Sequence, residues 1–455
     1  MDARMGTESV NRLLLKSAAP LMLSLLINSL YNFVDSVFIS RVSEAALTGL
    51  SLAAPIQTLV SALGCGNAIG LNAAVSRALG EKNEGEVKAS VAASLFIAFC
   101  SWALIAVGAV LCVGPYLCWQ AGGNAQIAAY AQSYLMICML FSFGQMGQWV
   151  FDRLVIASGR SGLFLFTLSA ASLTNLVLDP ILIFGYFGLP AMGVRGAAWA
   201  TVIGQITGAV AGYFINRRYN KAIPIAFALR PKGRSIAQIL RVGVPTALVQ
   251  GVTSFVGMAI NAILIGFSTT AVAVYGICAR MQGLMTVAVH GVTNGLIPIV
   301  AYNLGARKTE RIHACLRWAV LDAALLYAVF LAALELAPQP VLRLFEASPD
   351  MMAAGVPAIR IFAVTWLLSI PCLVLAAVFQ ALSKGAYSMA LTMLRQVLLP
   401  LVLVLIARSL GSLSVLWMAL AVAELLTIPA GVLLWMKCRR ALPAELIKTK
   451  EILAS

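Results

Sequence analysis

From Ser17 to Trp435 the chain returns again and again to apolar stretches as long as the ~20 residues that cross a bilayer. No room is left for a separate soluble domain. Backbone groups in lipid must find their partners within the protein, so only helices or a closed barrel can span. These runs do not alternate apolar with polar residues, which selects helices. Of 455 residues 61% are hydrophobic and 11% charged, where a soluble domain carries roughly 25% charged residues. The fold class expected is an all-α membrane protein with twelve transmembrane helices in two pseudo-symmetric six-helix bundles.

The apolar pattern predicts helices at 17–40, 46–76, 89–113, 128–150, 163–185, 196–216, 242–266, 272–303, 318–337, 360–383, 388–407 and 414–436. The net charge of +15 would suggest nucleic acid in a soluble protein, but its distribution points elsewhere. Most of the 32 basic residues fall in the termini and in alternate connections, 77–88, 151–162, 217–241, 304–317 and 384–387. The opposite side carries only Arg41, Arg195, Arg343, Arg360 and Arg408. By the positive-inside rule both termini are expected in the cytoplasm, with the chain in the cell inner membrane. The first helix is read as retained, because its apolar run continues to Ile39 without a small-residue cleavage site.

Sliding the chain by 225 residues exposes an internal repeat. Lys16 to Pro20 then lies over Arg241 to Pro245, and Gly66 to Gly80 over Gly291 to Gly305. An even number of helices per copy gives both copies the same orientation, so their pseudo-two-fold axis runs along the membrane normal. The division expected is an N-terminal lobe at 1–220, a cytoplasmic linker at 221–241 and a C-terminal lobe at 242–455. Both copies keep a G-x-x-x-G, Gly66/Gly70 and Gly291/Gly295, which is read as a close helix contact. Pro20 and Pro245 are repeat-equivalent prolines inside spans, where a kink is expected.

Charge within a bilayer costs roughly 2.5–3.5 kcal/mol on insertion scales, so embedded acids mark candidate sites. Asp35, Asp179 and Glu424 are embedded, whereas Asp322 and Glu335 are placed nearer span ends. Asn28, Asn32 and Asp35 share one face of the first helix, with Tyr31 a turn before the acid; Asn175 and Asp179 share one face of the fifth. Counting ~1.5 Å per residue sets both acids in the outer half of the N-terminal lobe, near Thr201 in the sixth helix. Two carboxylates, an amide and a hydroxyl suit a hard monovalent cation or a shared proton. The repeat offers Ile260 or Asn261 opposite Asp35, and Leu399 and Arg395 opposite Asp179 and Asn175. Ion chemistry is therefore assigned to the N-terminal lobe. Glu424, Arg395 and Arg280 are expected to pair among themselves as buried charges must, with contact to substrate in a central cavity as the alternative. Met146, Trp149, Met258 and Met281 are candidates for a plastic apolar cavity lining.

Nine scattered cysteines without C-x-x-C, and two isolated histidines, His290 and His313, encode neither a disulfide framework nor a zinc site. No Walker loop, H-E-x-x-H or G-x-S-x-G is present, so an ATP-driven pump or a membrane hydrolase lacks its machinery. The expectation is not an enzyme, without an organic cofactor, driven by a gradient.

The stretches LYNFVDSVFIS, SLTNLVLDPILIFGY and GVRGAAWATVIGQ, with the A-S-G segment at 157–159 and the paired endings V-x-R-A-L-G and V-x-Y-N-L-G, resemble the multidrug and toxic compound extrusion (MATE) transporters from about Leu13 to Trp435. That resemblance implies a multidrug efflux antiporter that exchanges Na+ or H+ for organic cations and other amphipathic drugs by rocking two six-helix bundles. It also implies that Asp35, Asn175, Asp179 and Thr201 form a cation site in the N-terminal lobe. The partners expected are small-molecule drugs and membrane lipid, with no nucleic acid, and the chain is expected to act as a monomer. The alternative is a lipid-linked oligosaccharide flippase of the same superfamily, which usually has a more cationic cavity; here only Arg280 and Arg395 are embedded cations.

Overall fold

The computed structural model describes residues 4–120, 125–267, 269–344, 348–410 and 412–440; a few helical side chains within them, including those of Tyr31, Asn32, Met258 and Asn261, lie outside the description. The spans are α1 (Val10–Ser40), α2 (Glu44–Gly80), α3 (Glu84–Gln120), α4 (Ala125–Leu140), α5 (Phe143–Ala157), α6 (Ser161–Phe184) and α7 (Val194–Tyr219). They continue as α8 (Gly233–Ile265), α9 (Thr269–Gly305), α10 (Thr309–Leu336), α11 (Pro349–Ala381), α12 (Gly385–Met393) and α13 (Leu399–Ser409), which are two parts of one span, and α14 (Leu413–Arg440). Among the described residues eleven helices are long and apolar enough to cross a membrane, the run from Gly385 to Ser409 counting as one, and they number twelve when α4 and α5, bent by 50° at their junction, are taken as one span. The chain is a multi-pass membrane protein.

The helices outrun the predicted spans at the ends where basic residues cluster: α1 begins at Val10, α3 at Glu84 and α8 at Gly233, inside the stretch read as a linker. Arg153, placed by sequence in a connection, is buried within α5. The helix persists there because Val150, Leu154 and Ala157 continue its buried face, and the guanidinium rests over Trp149, 5.7 Å from the ring centre. Asp322 also departs from expectation, since it sits mid-way along α10 and is buried. Glu335 is nearer the end of that helix and faces Arg360 at 3.8 Å.

Two compact units emerge, one of residues 19–247 and the other of residues 4–18 with 248 onward. Each unit thus contains the opening turns of the helix whose remainder belongs to the other, and Pro20 and Pro245 lie next to the two hand-over points. The repeat-equivalent glycines explain how these turns are seated. A Cβ at Gly66 would lie 2.4 Å from the Gly243 carbonyl oxygen, and one at Gly70 2.3 Å from that of Ile239, both on α8 in the first unit. In the second unit Gly295 meets Ser17 of α1, a Cβ there lying 3.2 Å from the serine side chain. The G-x-x-x-G pair of α2 is therefore a helix contact. Amide and basic groups secure the chain start in the second unit: Asn303 Nδ2 donates to the Met5 carbonyl at 3.1 Å, Lys308 Nζ to that of Gly6 at 2.7 Å and Arg311 Nη2 to that of Glu8 at 2.6 Å.

Candidate functional site

Within the first unit, α6 and α7 form a closely packed hairpin. Glycines in left-handed conformations turn the connection, Gly185 at φ +78° and Gly193 at φ +54°, which other residues adopt at a cost. The Met192 and Gly193 N–H groups donate to the carbonyls of Leu182 and Ile183 at 3.0 and 3.1 Å, fixing the register. Gly196, Gly204 and Gly208 of α7 then sit directly against α6: a Cβ on Gly196 would lie 2.4 Å from the Leu182 carbonyl oxygen, and one on Gly204 2.8 Å from that of Ala171. This close approach carries Thr201 to Asn175.

The Asn175 amide joins both helices. Its best bonds form with Nδ2 donating to Asp179 Oδ2 at 3.1 Å and its oxygen accepting from the Thr201 backbone N–H at 3.1 Å. Asp179 is fully buried and Asn175 is 3% exposed. Across from them, the carboxyl of Asp35 on α1 lies near enough to that of Asp179 for each to act on the other. Two carboxylates this near in a buried place repel unless a proton or a cation comes between them. Asp35 Oδ1 is buried without a hydrogen-bond partner, so an acceptor is left over beside the pair. All four residues singled out by sequence come together in one unit, and this oxygen set fits either a proton or a hard monovalent cation.

Sequence reading missed the neighbours on α2 and α4. Gln57 of α2 and Tyr134 of α4 lie beside Cys138 of α4, which is near enough to Asp35 to feel its charge. Neither a motif nor an embedded charge advertises them.

The remaining candidates separate. Met146 is 2% exposed and packs with Trp149 against Gly64 in the core of the first unit. Asn28 and Trp149 are half-buried. In the second unit Arg280 is exposed and Met281 half-buried on α9. Tyr31, Asn32, Met258 and Asn261 have side chains outside the described residues. Arg395 donates to Glu424 Oε1 at 2.8 Å, with the arginine side chain 5% exposed and the glutamate 13%. Arg395 lies in a π turn, Leu394–Leu398, in which the Leu399 N–H reaches back to the Leu394 carbonyl. Pro400 follows; its ring excludes the ordinary α pattern on the preceding turn, and the widened turn accommodates it. Among the described residues no three His, Cys, Asp or Glu side chains gather as for a metal centre.

Comparison with known proteins accords with this architecture. The MatE family model matches residues 20–181 and 245–406, one copy per repeat. The multidrug export protein MepA of Staphylococcus aureus (strain MSSA476) is 23% identical over 418 residues, covering 91% of each chain. A FAD transporter of Shewanella oneidensis is 23% identical over 435 residues, covering 92% of each. An outward-facing MATE family transporter of the MOP superfamily shares the fold with a TM-score of 0.89 at 21% identity, over 98% of this chain and 99% of that one.

Proposed function

The chain belongs to the MatE family of membrane transporters, and from that premise we propose that it is a multidrug exporter in the cell inner membrane, exchanging Na+ or H+ for organic cations and other amphipathic drugs. The observation that carries this reading is the fully buried Asp179 carboxyl, bonded to Asn175 and through it to Thr201, with the Asp35 carboxyl acting on it inside one lobe. An exporter couples only if ion and drug have different affinities for its two facings, so it needs a charge that can be added or removed where helices from different parts of the lobe meet. Asp35 and Asp179 meet that requirement on α1 and α6. One proton or one Na+ halves the charge of the pair; its loss restores repulsion between two carboxylates and pushes α1 and α6 apart. In the C-terminal lobe the cation of Arg395 is neutralised by Glu424, which supports drug export over recognition of an anionic lipid-linked sugar.

The test is ethidium efflux from cells or uptake into inverted vesicles, with Na+ and pH gradients imposed separately. Asp35→Asn and Asp179→Asn keep size and hydrogen bonding but remove the removable charge, and each is expected to bring gradient-driven transport to near background while protein still reaches the membrane. Wild-type transport in both variants, with unchanged dependence on Na+ and pH, would overturn the assignment.

A further inference from the structure

A second buried carboxylate in the same lobe has no part in the site above. Asp152 of α5 is 6% exposed and its Oδ1 accepts a hydrogen bond from Thr167 Oγ1 of α6 at 2.6 Å. The other groups that act on it are Gln148, one turn back on its own helix, and Arg153, the next residue; Cys65 of α2 faces Arg153. From α7 no charge approaches: Gly208 abuts Gln148, and Gly212 lies between Phe151 and Thr167. A carboxylate in this position costs several kcal/mol as an ion unless its surroundings answer its charge. A hydroxyl, an amide and a neighbouring guanidinium do so here, in an interior where an apolar side chain would pack without them.

Asp152 is joined to the first site by the buried face of α6. That face reads Thr167, Ala171, Ser172, Asn175 and Asp179, so polar groups recur along one stripe from Asp152 to the Asp35–Asp179 pair. At ~1.5 Å per residue the stripe from Thr167 to Asp179 is roughly 18 Å long. Ser172 Oγ, in its middle, is buried without a hydrogen-bond partner. A buried hydroxyl is rarely left unbonded in a native protein, and water is the partner small enough to enter beside it. Gly204 and Gly208 flank this stretch on the α7 side, so only small groups border it there. Below, Asp152 is five residues from the last turn of α5 at Ala157, about 8 Å from the end where basic residues cluster.

We propose that Asp152 is a relay group through which the proton held by the Asp35–Asp179 pair leaves to the cytoplasmic side within the interior of the N-terminal lobe. Each transfer moves one proton: a hydroxyl or water on the stripe accepts a proton from above and gives up its own below, and the Thr167 hydroxyl hands one to Asp152 Oδ1 while being refilled from the Ser172 side. The neutral carboxyl then ionises toward the inner end and regains its interactions with Gln148 and Arg153, so no net charge stays buried. Proton exit is thereby kept apart from the drug path. This inference rests on the proton form of the exchange proposed above.

The experiment uses the full-length protein in inverted vesicles carrying an internal pH dye, with ethidium as the drug. Asp152→Asn keeps a partner for Thr167 but cannot carry a proton; it is expected to slow ethidium-driven proton exit and ethidium uptake about tenfold or more. It should leave equilibrium ethidium affinity, and the weakening of that affinity at low pH, at wild-type values, since those report on Asp35 and Asp179. Thr167→Val should act in the same direction and Thr167→Ser restore the rate; this pair decides the matter if Asp152→Asn fails to reach the membrane, because a brace between helices would lower stability without altering turnover per folded molecule. Wild-type proton exit in Asp152→Asn, or equal rates in Thr167→Val and Thr167→Ser, overturns the relay. If Asp35→Asn abolishes coupling while Asp152→Asn does not slow exit, the relay alone falls; if Asp35→Asn remains coupled, the ion site itself falls.

Discussion

Asn175 and Thr201 contribute unequally to the Asp179 carboxylate. Asn175 donates to it directly and accepts from the Thr201 backbone N–H, whereas the Thr201 hydroxyl stands 3.4 Å from that same amide oxygen, a weak contact. Removing a direct donor from a buried charged group costs ~1–3 kcal/mol, so Asn175→Leu should raise the ion concentration needed for half-maximal efflux by about ten- to a hundredfold. Thr201→Val should raise it by no more than about tenfold. Titration of efflux against Na+ and against pH tests this ranking; the reverse order would mean that the hydroxyl, not the amide, holds the ion. The Arg395–Glu424 pair invites a different measurement. Its members are nearly withdrawn from water, so removing one strands the other, at a cost of ~3–5 kcal/mol, while replacing both with apolar side chains is close to neutral. Arg395→Met should therefore lower the unfolding temperature in detergent markedly, and Arg395→Met with Glu424→Met should recover most of it while transport persists. Loss of transport in a stable double variant would give the pair a role beyond structure.

At the scale of elements, spacing carried much of what matters. The G-x-x-x-G of α2 was legible as a contact, and the structure supplies its partner: the opening turns of α8, whose carbonyls at Gly243 and Ile239 leave no space for a side chain. Because backbone cannot give way as a side chain tip can, Gly70→Leu should be more damaging than ordinary overpacking at ~1–3 kcal/mol. The expected result is little folded protein in the membrane, read by size-exclusion chromatography of a fluorescent fusion; Gly108→Leu, where nothing lies within 4 Å, serves as the tolerated control. Helix ends were less legible, because a helix need not stop where hydropathy falls: α5 continues through Asp152 and Arg153 by burying Val150, Leu154 and Ala157. The stripe Thr167, Ser172, Asn175 and Asp179 was visible in principle as helical spacing, but serine and threonine bond so readily to their own backbone in membrane helices that such a stripe reads as ordinary packing until its lower end is seen to meet Asp152.

For the whole molecule, the distribution of basic residues makes a topological prediction that labelling can test. In a background without the nine native cysteines, Phe187→Cys, 90% exposed in the α6–α7 connection, should react with an impermeant maleimide added to intact cells. Glu84→Cys, exposed at the start of α3, should react only after permeabilisation; the opposite pattern would invert the orientation. Membrane class, helix number, the twofold repeat and the four polar residues that the structure gathers were legible in the sequence alone, because desolvation of backbone and charge acts on every residue wherever it packs, and leaves a mark in composition and spacing. Partnership was decided only by the tertiary structure. That the opening turns of α1 and α8 belong with the opposite units, that Glu424 takes Arg395, that Met146 is core and that Asp152 meets Thr167 all depend on which side chains helices far apart in sequence bring within a few ångströms. Short-range packing and hydrogen bonding set those distances, and neither leaves a periodic signal in the chain.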